Sequence, residues 1–226
     1  MANDDVDNEV GLTGKIKGKL IKTKEAWARE GRGLTGTAAR PDTVRLPPGQ
    51  RLTNDFPVLD LGVQPNLTQK DWSLSVAGQV ARPLKWSWGD LMAQPQAEYL
   101  NDIHCVTTWS RYDNTWHGVA MRTLLAACVP LPTAKFLMVK GFDGYSTNIP
   151  LADVDRDDVF LGHTWNGQGL TRDHGGPVRL VVPHLYFWKS AKWIRHITFM
   201  EKDQPGYWEA RGYHMRGDPW DEERYE

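Results

Sequence analysis

"PVRLVVPHLYFWKSAKWIRHITFME", residues 177–201, decides how the chain is built. Two apolar runs, rich in β-branched and aromatic residues, are separated by a proline and a polar insertion, and both read as strands. The pattern extends outward. "KFLMVKGFDGYSTNIP" (135–150) reads as a strand broken by a glycine turn, and "DWSLSVAGQV" (71–80) alternates Trp72, Leu74 and Val76 against polar partners. "SWGDLMAQ" (87–94) predicts a short helix entered at Ser87. "HGVAMRTLLAACV" (117–129) carries Val119, Leu124, Leu125 and Cys128 at roughly helical spacing, which makes Cys128 a core cysteine. The order of elements predicts a mixed α+β domain, mainly β.

Composition agrees. Eleven tryptophans, 21 glycines and 14 prolines in 226 residues suit short strands joined by tight turns. The formal charge of −1 gives no field for nucleic acid or an anionic membrane. No stretch approaches the roughly 18 apolar residues of a membrane helix. The N-terminus shows neither an apolar signal core nor paired arginines, so the expectation is a cytoplasmic protein. Residues 1–49 read as an arm and linker containing one lysine-rich segment, "KIKGKLIKTKEAWARE" (15–30); residues 50–226 read as the domain.

Three segments carry chemistry. "RDHGGPVR" (172–179) places Asp173, His174 and Arg179 around a Gly-Gly turn, where backbone can approach a bound group and side chains supply donors; a charged hairpin turn is the plainer reading. "YFWKSAKW" (186–193) puts Ser190 and Lys192 among aromatic rings, a setting suited to a flat anion or to simple packing. No G-x-x-x-x-G-K-[ST] or G-x-G-x-x-G loop is present. The third is "NDIHCVTTWSRYDNTWHG" (101–118). Cys105 there is open to three readings: a small buried hydrophobe, a nucleophile, or a lone thiolate ligand to a soft metal. His104 is a poor base for it, because neighbours on a strand face opposite ways. With only two cysteines and no C-x-x-C pair, a zinc site is not expected.

Taken in order, "HCVTTWS", Trp116 to Val119, "DGYSTNIP", "RDHGGPVRLVVPHLYFWKSAKW" and "PGYWEARGYH" resemble the molybdopterin-binding domain of the sulfite oxidase family, most closely its short bacterial members. The resemblance covers roughly residues 50–226. It implies Mo-molybdopterin as cofactor, with Cys105 coordinating molybdenum. It implies that His174, Arg179, Ser190 and Lys192 hold the pterin and its phosphate, and that Asn54 and Phe56 of "RLTNDFPV" touch the cofactor. Tyr213 and Arg111 are implied in substrate handling. The implied activity is oxygen-atom transfer, foremost oxidation of sulfite or a sulfite-like molecule. The alternatives are reduction of S- or N-oxides, or a metal-free interaction protein keeping the fold. Sulfite oxidases carry an arginine where this chain has Thr53, which weakens the case for sulfite. A small-molecule substrate, an external electron carrier and a monomer are the expected partners and state, because neither a haem domain nor the family's dimerisation domain is recognised.

Overall fold

A computed structural model describes residues 45–225, so the lysine-rich segment and most of the arm lie outside the described residues. Two sheets carry the core. The first contains β1 (Arg51–Leu52), β4 (Gln96–His104), β5 (Trp109–Ala120), β8 (Phe160–Trp165), β9 (Gln168–Gly169) and β10 (Arg179–Val181). The second runs β3 (Leu84–Ser87), β2 (Ser73–Gly78), β11 (Ile194–Met200), β6 (Phe136–Gly141) and β7 (Ser146–Pro150). The two apolar runs of residues 177–201 are thus β10 and β11, one in each sheet. Between them lies the segment that joins the sheets. The mainly β architecture is as the sequence predicts.

Local rules explain most boundaries. Leu74 and Val76 of β2 face the core with Trp72 just before them, and the Trp72 indole donates to the Ile194 carbonyl at 2.9 Å across to β11. Burying side chains of this size is worth about 1.5–3 kcal/mol each. Helix α1 (Trp88–Met92) starts at Ser87, whose hydroxyl accepts from Asp90 N–H while Asp90 accepts from Ser87 N–H, a reciprocal capping box. Helix α2 (Met121–Cys128) buries Met121, Leu124 and Cys128. Val119, expected on that helix, instead belongs to β5: its backbone pairs with Leu161 and Gln96, so strand pairing on both sides overrides the helical spacing. Helix α3 (Leu151–Val154) follows β7. No described helix is long and apolar enough to cross a membrane.

The expected linker ends on the body. Arg45 pairs with Asp102 on β4 and with Asp113 on β5, and its guanidinium lies 4.2 Å from the Tyr112 ring centroid.

Candidate active site

Cys105 sits where β4 turns into β5. Its N–H donates to the Trp109 carbonyl at 2.8 Å, and its carbonyl accepts from Thr108 N–H at 3.0 Å, closing a tight turn. Gln50 braces that turn, donating from Nε2 to the Cys105 carbonyl at 3.1 Å. Cys105 Sγ lies 3.2 Å from Thr107 Oγ1, and the residue lines a cleft of about 790 Å³ including its mouth. His104 turns the other way, with Nδ1 2.8 Å from Ser110 Oγ and its ring edge-on to Trp220 at 4.9 Å. Burial pushes the His104 pKa down to about 4. It is not a base for Cys105.

"RDHGGPVR" and "KSAK" lie side by side: Trp193 N–H donates to the Gly175 carbonyl at 3.3 Å, and Leu180 N–H to the Ala191 carbonyl at 2.9 Å. The glycines serve this packing. Gly175 has φ of 99°, and a Cβ there would lie 2.9 Å from Lys192 Cβ; one on Gly176 would lie 2.2 Å from the Leu170 carbonyl oxygen. The close approach is therefore between stretches of protein, a different use from the approach to a bound group that the sequence suggested.

Arg179 is 1% exposed. It donates from Nη1 to the His174 carbonyl at 3.0 Å and from Nη2 to the Ser190 carbonyl at 2.8 Å, with its guanidinium 4.2 Å from the Phe187 ring centroid. Among the described residues no carboxylate pairs with it, and burial pulls its pKa down to about 9. A buried cation without a counter-ion is costly, and an anion in the cleft would relieve that cost. Ser190 Oγ accepts from Val182 N–H at 2.9 Å, and Lys192 Nζ donates to the Asp173 carbonyl. Arg179, Ser190 and Lys192 all line the cleft with Cys105.

A buried ion pair underlies this wall. Lys189 Nζ lies 2.6 Å from Glu209 Oε1, both side chains fully buried, and also donates to the Asn148 and Met215 carbonyls. The same Glu209 oxygen accepts from the Trp188 indole at 2.9 Å and from Thr147 Oγ1 at 2.8 Å. The network ties "YFWKSAKW" to "YWEARGY". It thereby fixes Tyr213, which stacks on Trp208 at 5.0 Å and meets Trp188 edge-on at 5.0 Å at the cleft wall.

Not every expected residue comes to the cleft. Phe56 lines it and stacks on His174, rings 4.0 Å apart and 8° from parallel, so His174 stands behind Phe56. Burial pushes the His174 pKa down to about 4, and its Nδ1 has no hydrogen-bond partner among the described residues. Asn54 and Arg111 meet each other outside the lining, where Arg111 Nε donates to the Asn54 carbonyl at 3.2 Å. The Arg111 guanidinium is 4.8 Å from the Trp165 ring centroid, and Trp165 in turn packs on Phe56 at 5.0 Å. Thr53 is buried, its hydroxyl accepting from Asp55 N–H at 3.1 Å.

Asp143 and Tyr145 are among the lining residues that residue-level reading missed. Asp143 accepts from Tyr145 N–H at 3.0 Å, and Tyr145 donates its hydroxyl to the Trp188 carbonyl at 2.5 Å. Burial raises both pKa values. Both lie in "DGYSTNIP", so the motif was in view while its inward side chains were not.

Residues 61–208 match the family described as oxidoreductase molybdopterin binding domain. The chain is 45% identical to the uncharacterized oxidoreductase YuiH of Bacillus subtilis, over 80% of this chain and 92% of that protein. It is 28% identical to the protein-methionine-sulfoxide reductase catalytic subunit MsrP of Campylobacter jejuni, over 64% of this chain and 54% of that one. Among solved structures, the sulfane dehydrogenase SoxCD of Paracoccus pantotrophus superposes with a TM-score of 0.57 and 27% identity, over 62% of this chain and 40% of that chain.

Proposed function

We propose that this chain, which belongs to the oxidoreductase molybdopterin-binding domain family, transfers an oxygen atom from an uncharged sulfur or nitrogen oxide or to the corresponding reduced compound. Membership makes it a molybdopterin-dependent oxidoreductase. The substrate class and the residue roles are our reading.

The cleft suits the cofactor. Arg179 offers a buried, uncompensated positive charge to the cofactor's phosphate, with Lys192 and Ser190 beside it. The aromatic walls of Phe56, Phe187 and Trp193 suit a flat ring system. Asp143, its pKa raised by burial, offers a carboxyl to ring N–H groups. Cys105 offers a soft thiolate. Among the described residues no group of three or more His, Cys, Asp or Glu is placed to hold a metal, so the other ligands would come from the cofactor. Bound there, Mo-molybdopterin supplies two-electron oxygen-atom transfer. The protein fixes it, excludes water with the aromatic wall and orients substrate by Tyr213. Electrons are exchanged with an external carrier.

One observation carries the choice of substrate: among the described residues the only basic side chains lining the cleft are Arg179 and Lys192, both in the motifs assigned to the cofactor. No lining cation remains for a second anion, and the remaining wall is apolar, hydroxyl or acidic. Sulfite is the second reading, favoured by Arg111, which stands one ring away from Phe56 over Trp165. Steady-state assays with sulfite and with a dialkyl sulfoxide, using artificial carriers in both directions, test the choice. The proposal expects kcat/KM for the sulfoxide to exceed that for sulfite. The opposite ranking transfers the assignment to the second reading.

A further inference from the structure

Trp109 is a buried donor left over in the cleft. It is 2% exposed, and its Nε1 has no acceptor among the described residues. Five of the other described indoles are met by protein oxygens. Trp72, Trp116, Trp165, Trp188 and Trp193 each donate to a protein oxygen at 2.8–3.2 Å. Buried indole N–H groups normally find a partner, because desolvating an unmet donor is costly. Trp109 lines the same cleft as Cys105.

The ring is held firmly. Its carbonyl accepts from Cys105 N–H at 2.8 Å, its backbone pairs with Arg51 of β1, and Phe56 meets it edge-on at 6.4 Å. An indole donates and cannot accept, and it carries no charge. It therefore suits a strongly dipolar oxygen, while a thioether sulfur accepts from it only weakly.

We propose that Trp109 is a specificity-determining residue whose indole N–H donates to the oxygen of an S–O or N–O group bound beside Cys105. This rests on the uncharged-oxide reading above. The oxide has a strong acceptor and the corresponding sulfide only a weak one, so Trp109 favours the oxygenated member of the pair and leaves the reduced one free to exchange.

The test uses molybdenum-loaded protein, wild type and Trp109→Phe, which keeps an aromatic ring and removes the donor. Calorimetry measures binding of sulfolane, an inert S–O acceptor, and of tetrahydrothiophene, the sulfide with the same ring. Molybdenum and pterin per chain are counted in parallel. The expected result is normal cofactor content, sulfolane affinity weakened about tenfold or more, and tetrahydrothiophene affinity unchanged. Unchanged sulfolane binding overturns the role of Trp109 while leaving the uncharged-oxide reading intact. A wild-type protein that binds sulfite and not sulfolane overturns that underlying reading. Loss of pterin from Trp109→Phe assigns the donor to the cofactor and also overturns the proposal. Should Trp109→Phe not fold, wild-type protein must still bind sulfolane about tenfold more tightly than tetrahydrothiophene, and equal affinities overturn it.

Discussion

Arg179 donates from Nη2 to the carbonyl of Ser190 at 2.8 Å, so a fully buried cation is tied to the loop that follows it and to no carboxylate among the described residues. The bond organises the loop without neutralising the charge. It leaves a fixed positive site in the cleft that Cys105 also lines.

Arg179→Met therefore separates stability from cofactor binding. Removing an uncompensated buried charge offsets the loss of its bonds to the Leu180, His174 and Ser190 carbonyls, so the thermal midpoint of cofactor-free protein is expected to hold or rise. Cofactor content is expected to fall more than about tenfold, the loss of a charge-assisted anion contact. Inorganic phosphate should raise the midpoint of cofactor-free wild type and leave Arg179→Met unmoved.

Lys189→Met strands Glu209 in the interior. Breaking one side of such a pair costs about 3–5 kcal/mol. Denaturant unfolding should show that loss, and adding Glu209→Gln should restore part of it, since both charges are then gone. A loss below 1 kcal/mol would remove the pair from the account of how Tyr213 is held.

Stability should fall on mild acidification. His104 and His174 are each held at about 4, below the ordinary 6.5, chiefly by burial. Between pH 6.5 and 4 the unfolded chain takes up protons that the folded chain refuses, so their contribution is full above 6.5 and is lost as pH falls towards 4. His104, the more buried, accounts for about 3 kcal/mol at most. Thermal midpoints across that window should fall in wild type and flatten in His104→Gln.

Tyr213→Phe keeps the stack on Trp208 and the edge contact with Trp188, so stability should change by less than about 1 kcal/mol. If its hydroxyl orients the substrate, kcat/KM drops severalfold. An unchanged rate with both sulfite and a sulfoxide removes Tyr213 from the site.

The strands were legible because period-2 burial at Trp72, Leu74 and Val76 is a local signal, and α1 because its capping box lies within four residues. Cys105, Arg179, Ser190, Lys192 and Tyr213 line one cleft. What stayed hidden depends on tertiary placement. A lysine in a polar loop reads as solvated, and only the fold brings Glu209 and the Asn148 and Met215 carbonyls around Lys189. Arg111 looked close to Cys105 in sequence, yet Trp165 and the Asn54 carbonyl hold it outside the lining. Trp109 sat inside a quoted motif, and nothing local distinguishes an unmet indole from a satisfied one.

The central claim is that Cys105 is the protein's ligand to the metal of the bound cofactor. Its most direct measurement is molybdenum and pterin content together with oxygen-atom transfer in Cys105→Ser. The account predicts that pterin is retained, because Arg179, Ser190 and Lys192 are untouched, and that turnover is lost. A Cys105→Ser protein with bound molybdenum and full activity would contradict it.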